Sequence, residues 1–180
     1  MSAAPLCPWT QKPNLQILPK MIRPMPIHEA ATLLAIINAA AQVYQGVIPD
    51  DCWHEPYMSL RELNNEIEAG VDFWGYQDEG RVVGVMGRQN PGEVILIRHA
   101  YVRPDWQRRG IGAQLLAHLL AGVTGPVLVG TWAAAHWAVR FYEKNGFTLV
   151  TPEEKERLLR TYWTISDRQI ETSVVLAKHL

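Results

Sequence analysis

The sequence predicts an α/β fold: a mixed, mostly antiparallel sheet flanked by helices on both faces. Two observations carry this expectation. Strand-like segments come first as a hairpin and a third strand, and then alternate with segments of helical period. The 180 residues, 48% of them hydrophobic, give one domain enough chain for a sizeable core.

Residues 1–20, MSAAPLCPWTQKPNLQILPK, hold four prolines and read as an extended arm before a single domain over 21–180. Ile27 to Tyr44 places apolar residues at positions 30, 33, 34, 37, 41 and 44, the period of a helix. The loop VIPDDCWHEPYM follows. Ser59 then opens S-L-R-E, a capping box that starts a second helix running to about Ala69. Asp72–Gln77 and Arg81–Arg88 read as two strands joined by Asp78-Glu79-Gly80, a hairpin. Glu93–Val102 is a third strand, and the leucines at 115, 116, 119 and 120 give the next helix its apolar stripe. Pro126–Trp132 reads as a buried strand, and Ala135–Asn145 as a helix stopped by Gly146. Phe147–Val150 is a further strand, and Pro152–Trp163 a helix with proline and acids at its start. A last strand is expected from about Gln169 to Ala177.

Composition excludes several classes of function. A net charge of −1, with no basic stripe, leaves no electrostatic footprint for nucleic acid. No apolar run approaches the ~20 residues of a membrane span, and the N-terminus lacks the basic start and apolar run of a signal peptide. Cys7 and Cys52 match no metal spacing and read as free thiols in a reducing cytoplasm. The expectation is a cytoplasmic protein without metal, monomeric or homodimeric.

Chemistry is concentrated in Gln107-Arg108-Arg109-Gly110-Ile111-Gly112, where the third strand hands over to a helix. A P-loop needs G-x-x-x-x-G-K-[ST], and neither the lysine nor the hydroxyl is present. A dinucleotide fingerprint needs a third glycine where Leu115 stands, and belongs to a first βαβ unit. Two readings stay open. One is a pyrophosphate held by successive backbone N–H groups at a helix N-terminus, where the dipole favours a di-anion. The other is a sharp turn with two solvated arginines.

The turn fits the Q/R-x-x-G-x-G/A signature of the GNAT N-acetyltransferases. His99-Ala100-Tyr101-Val102-Arg103-Pro104 resembles that family's cofactor strand, and Ala138-Val139-Arg140-Phe141-Tyr142-Glu143-Lys144-Asn145-Gly146-Phe147 resembles its A-x-x-F-Y-x-x-x-G-F helix. The order of elements matches from about Met21 to the end. The resemblance implies acetyl-CoA as cosubstrate, its pyrophosphate on Gln107, Arg108, Arg109, Gly110, Ile111 and Gly112. Ala100, Tyr101 and Val102 would line its arm, and the backbone N–H near Val102 would polarise the thioester carbonyl as an oxyanion hole does. At Ala135 the family often has an asparagine that touches the same arm.

The resemblance further implies direct transfer to an amine in a ternary complex, with Tyr142 protonating the departing thiolate. Phe141, the neighbouring aromatic, is expected to face the core and leave Tyr142 to the cleft. An acceptor amine with pKa near 10.4 must lose a proton, which at pH 7 costs about 4–5 kcal/mol. Positions where many relatives carry a basic glutamate or histidine correspond here to Leu96 and Arg98. Candidate bases are therefore Glu93, at the strand start, and His99, which alternation sends to the other face unless a bulge intervenes. Deprotonation through water needs neither.

For the acceptor, the loop between the first two helices offers Trp53, His54 and Tyr57 beside acids, which suits a cationic amine held by cation–π contact. Arg98, if it faces the cleft, favours an acceptor bearing a carboxylate instead. The expected partner is a small-molecule or peptide amine. A non-catalytic acyl-CoA-binding module is the alternative from another class.

Overall fold

The computed structural model of the chain describes residues 19–180, so the expected arm and Cys7 lie almost wholly outside it. A short strand that the sequence reading does not anticipate, β1 (Met21–Pro24), leads into a 3₁₀ turn and helix α1 (Ala30–Ala41), which a second 3₁₀ turn extends to Tyr44. Helix α2 (Leu60–Glu68) starts at the S-L-R-E box as expected. Ser59 Oγ accepts from the Glu62 N–H at 3.2 Å, and the Glu62 carboxylate accepts from the Ser59 N–H at 2.7 Å.

The hairpin is β2 (Val71–Asp78) and β3 (Arg81–Gln89), turning at Glu79 and Gly80, both with positive φ. Then come β4 (Ile95–Val102), α3 (Ile111–Leu120), β5 (Pro126–Trp132), α4 (His136–Lys144), the two-residue β6 (Thr148–Leu149) and α5 (Pro152–Tyr162). The chain ends in α6 (Asp167–Thr172) and β7 (Ser173–His179). Here the expectation of a strand from Gln169 fails. Ser166 and Gln169 form a second capping box, so residues 167–172 close a short helix before the strand begins.

All seven strands join one sheet in the order β1-β2-β3-β4-β5-β7-β6. Every pairing is antiparallel except β4 with β5. Side chains of α1 and α2 (Leu33, Ile36, Ile37, Leu63) pack with Val71, Phe73 and Val85 on one face. On that same face α5 and α6 cover Leu96, Leu128 and Val175 with Leu158, Leu159 and Ile170. The opposite face carries α3 and α4, where Leu115, Leu116, Leu119, Tyr142 and Phe147 meet Ile97, Val127 and Val129. Each such fully buried aliphatic side chain contributes about 1.5–3 kcal/mol. The core thus holds the sheet rigid on both sides of the β4–β5 seam, where the candidate site lies.

Candidate active site

Parallel pairing between β4 and β5 covers only Ile95–Ile97 with Val127–Val129. Past that point the strands part. β7 holds β5 along its whole length, from Pro126 opposite His179 to Trp132 opposite Ser173. β4 instead bulges: Arg98 faces Gly87 but Tyr101 faces Val85, so β4 spends one residue more than β3. His99 sits at this bulge with φ +50, a left-handed conformation that few non-glycine residues adopt. The bulge resets alternation and turns His99 onto the α1–α2 face, beside Arg98.

Beyond the bulge, one edge of β4 is open. The Arg103 N–H bonds Val83 O at 2.9 Å, so the antiparallel ladder directs the N–H and C=O of Val102 the other way, toward the gap. That carbonyl accepts from Gln107 Nε2 at 3.1 Å, and the β4–β5 ladder on that side ends at Ile97, which leaves the Val102 N–H beyond its reach. Gln107 therefore ties the turn to the strand through its side chain.

The turn itself presents donors. Gln114 N–H is the first to close onto the helix start, bonding Gly110 O at 3.1 Å. From Arg108 to Ala113 no backbone N–H donates to a protein acceptor among the described residues. Arg108 (φ +61) and Gly110 (φ +76) both take the left-handed conformation, the kind of turn from which successive amides form anion-binding concavities. Gly112 is needed for a different reason. A Cβ there would meet the Phe141 ring at 3.3 Å, and this close approach packs α3 against α4. Arg109 stacks over Trp106, 4.6 Å from the ring centre, and donates to Asp105 O; the exposed Arg108 has no ion-pair partner among the described residues. Unpaired amides, a helix N-terminus and a free guanidinium make a fitting seat for a pyrophosphate.

On the α1–α5 side, the parted strands open into a cavity of about 180 Å³ walled by Tyr44, Tyr57, Arg98, His99, Tyr101, Trp132 and Trp163. Burial raises the phenol pKa of Tyr44, Tyr57 and Tyr101, so all three keep their protons at neutral pH. Trp132 Nε1 donates to the Tyr57 hydroxyl at 3.0 Å. A wider depression of about 400 Å³ lies near Thr151 and Lys178, by the β6 edge; it is an open surface feature far from the β4–β5 gap.

The expected site residues do not all converge. Tyr57 lines the cavity, with Trp53 stacked behind it at 5.6 Å. His54 lies on the outer surface, its Nδ1 at 2.7 Å from Pro56 O, and is not part of the wall. Glu93 is exposed and precedes β4, at the paired end; the strand rise of ~3.3 Å per residue puts it far from the bulge. Arg98 reaches the cavity wall but is already engaged. Its Nη2 contacts Glu66 at 2.6 Å and its Nη1 donates to Gln89 Oε1 at 2.8 Å, which removes it as a ready clamp for an acceptor carboxylate.

The α4 aromatics reverse the expected order of burial. Tyr142 is 5% exposed, edge-on to both Phe141 and Phe147, while Phe141 is only half-buried against Gly112. Burial, with a smaller contribution from the Tyr44 phenol across the gap, holds the Tyr142 phenol well above its ordinary pKa. Glu66 is the site residue that local sequence patterns do not reveal. Burial pushes its carboxyl up, but His99 and Arg98 outweigh this and hold it below the usual carboxylate range. Among the described residues no group of three or more His, Cys, Asp or Glu stands close enough to hold a metal, and no helix is long and apolar enough to cross a membrane.

The model of the acetyltransferase (GNAT) domain matches residues 38–162, more than two thirds of the chain. The chain belongs to the GNAT acetyltransferases. No curated protein sequence matches it significantly. Among solved structures it is similar to the PaiA N-acetyltransferase of Thermoplasma acidophilum in complex with coenzyme A. The TM-score is 0.67 and the identity 18%, over 91% of this chain and 100% of that one. The ribosomal-protein-alanine N-acetyltransferase of Brucella melitensis gives a TM-score of 0.61 and 21% identity, over 89% and 99% of the two chains. N-acetylglutamate synthase of Neisseria gonorrhoeae, with coenzyme A and N-acetyl-glutamate, gives 0.63 and 20%, covering 91% of this GNAT chain and 35% of that protein. The shared feature is the GNAT fold.

Proposed function

We propose that this GNAT protein moves the acetyl group of acetyl-CoA directly to a primary amine of a small molecule or peptide, in a ternary complex. One observation carries the reading: the open edge of β4 runs from the aromatic cavity to the unpaired amides of the Gln107–Gly112 turn. A pantetheine arm carries amides and can add to such an edge as an extended strand does. In this reading Ala100, Tyr101 and Val102 face the arm, and the turn binds the pyrophosphate through Arg108–Gly112.

The Val102 N–H is then available to the thioester oxygen, and stabilises the charge that develops there. Tyr142, kept protonated by its burial, hands a proton to the departing thiolate. The acceptor enters from the cavity. Its walls suit an ammonium group through the faces of Tyr44, Tyr57 and Trp132, and none of the loop acids Asp50, Asp51 and Glu55 reaches that wall.

The test is thiol release from acetyl-CoA across a panel of aromatic, aliphatic and peptide N-terminal amines. Release above background hydrolysis with at least one amine is expected. Tight binding of CoA with no release on any amine would make the chain a non-catalytic acyl-CoA-binding module.

A further inference from the structure

Glu66 approaches the bulge from α2 and meets two of its residues at once. Its carboxylate lies 2.6 Å from Arg98 Nη2 and 3.0 Å from His99 Nε2. The His99 ring stacks on Phe73 of β2, with ring centres 5.6 Å apart and planes inclined by 26°. Nε2 is buried, and the Glu66 oxygen 3.0 Å away stands off its N–H line, a close polar contact that becomes an ion pair when the ring is protonated. His99 also lines the cavity, and with Nε2 buried against Glu66 the other ring nitrogen, Nδ1, is the one left for an acceptor. A left-handed backbone at a non-glycine residue persists only where its surroundings over-determine it, and such sites cluster at catalytic centres.

We propose that His99 is the base that deprotonates the acceptor ammonium, and that Glu66 is the positioning residue that fixes its ring and stabilises the imidazolium. The proposal rests on the acetyl-transfer reading above. A proton passes from the ammonium to His99 Nδ1, directly or through one water, and frees the nitrogen lone pair. The lone pair attacks the thioester carbonyl carbon, and as the C–N bond forms the C–S bond breaks. The second nitrogen proton balances the thiolate through Tyr142, and the imidazolium returns its proton to solvent.

The charges around His99 are few. Glu66 comes from α2 and Arg98 from β4 itself; Glu62 stands one turn before Glu66, 3.8 Å from His54. α1, AATLLAIINAAA, has no ionisable side chain. β2 brings Phe73, β3 the neutral Gln89, and the α5–α6 side Leu159, Trp163 and Gln169. Tyr57 and Tyr101 stay protonated.

Two measurements test the pair together: the titration of the His99 ring followed by NMR, and the pH profile of kcat/KM for thiol release. In Glu66→Gln the ring midpoint and the acid limb of kcat/KM are expected to shift together, because the carboxylate 3.0 Å from Nε2 is gone. His99→Gln should remove that limb and lower kcat/KM about 100-fold. Glu66→Gln leaves Arg98 unpaired and costs stability, so Glu66→Gln with Arg98→Leu provides a second, charge-balanced background. The same direction of shift is expected there. An unmoved midpoint in both variants, or undiminished release in His99→Gln, overturns the proposal. Absence of release in the unaltered protein would instead sink the acetyl-transfer reading itself.

Discussion

The Trp132 indole donates its N–H to the Tyr57 hydroxyl across 3.0 Å, joining the loop after α1 to the end of β5 over the cavity. The two residues are 75 apart in sequence, and both line the cavity wall. Tyr57→Phe removes the acceptor of that bond and leaves a buried indole N–H unpaired, a loss of about 1–3 kcal/mol. It should raise the acceptor KM several-fold at unchanged acetyl-CoA KM. His54→Ala should alter neither, because His54 lies outside the wall. Steady-state kinetics with each substrate varied in turn checks both; equal changes in the two KM values for Tyr57→Phe would take this residue out of the acceptor site.

Gly110 separates the demands of fold and ligand. A Cβ there meets nothing nearer than Gln114 Nε2 at 3.8 Å, so a side chain clashes with no part of the protein. Its φ of +76 is another matter, since an L-residue in that conformation costs about 1–2 kcal/mol. Gly110→Val is therefore expected to fold, with Tm lowered by a few degrees, and to bind CoA at least tenfold more weakly as the amides turn away. Calorimetry on the folded variant measures this. Unchanged affinity would move the pyrophosphate seat elsewhere.

How far the sequence reaches depends on the range of the signal. The S-L-R-E box, the Glu79-Gly80 turn and the Gly110–Gly112 junction are local, and the structure forms each where the pattern predicts. Ser166-Asp167-Arg168-Gln169 is an equally local box, and reading it would have exposed α6 and shortened the last strand. The bulge at His99 is different. It exists because β4 pairs out of step with β3, and no residue near His99 encodes the register of a strand ten or more positions away. Glu66 reaches the same spot only through the packing of α2 on the sheet. Burial of Tyr142 beneath Phe141 likewise depends on Gly112, where the missing Cβ admits the Phe141 ring.

Acid should weaken the fold in a way that two carboxylates explain. Arg23 holds Glu29 below its ordinary pKa through hydrogen bonds of 2.7 and 2.8 Å; Glu66 is held down by His99 and Arg98 against its burial. A carboxyl whose pKa is lower folded than unfolded adds stability at every pH above the unfolded value near 4. That contribution is lost as the pH falls through the folded value. Tm measured between pH 7 and pH 3 should therefore drop, and drop less steeply in Glu66→Gln and in Glu29→Gln. Parallel curves for variant and unaltered protein would show that neither pair stabilises the native state.

Tyr142 offers the clearest test of the chemistry. Its ring is wedged between Phe141 and Phe147, so Tyr142→Phe keeps the packing and removes only the hydroxyl. Burial raises the phenol pKa, which has two consequences. The proton is always present at neutral pH, and the group is a weaker acid than a free phenol. A thiolate near pKa 8.5 is already a fair leaving group, so the help should fall at or below the lower end of the ~10²–10⁴-fold typical of general acids. In the proposed role, contact with the thiolate arises only as the C–S bond breaks, so the loss is expected in kcat while the acetyl-CoA KM stays nearly constant. The pH profile should also stay flat through the phenol range below pH 10, since the native group does not ionise there. A Phe variant with full kcat would leave Tyr142 as a packing residue of α4, and the proton on CoA would then come from solvent.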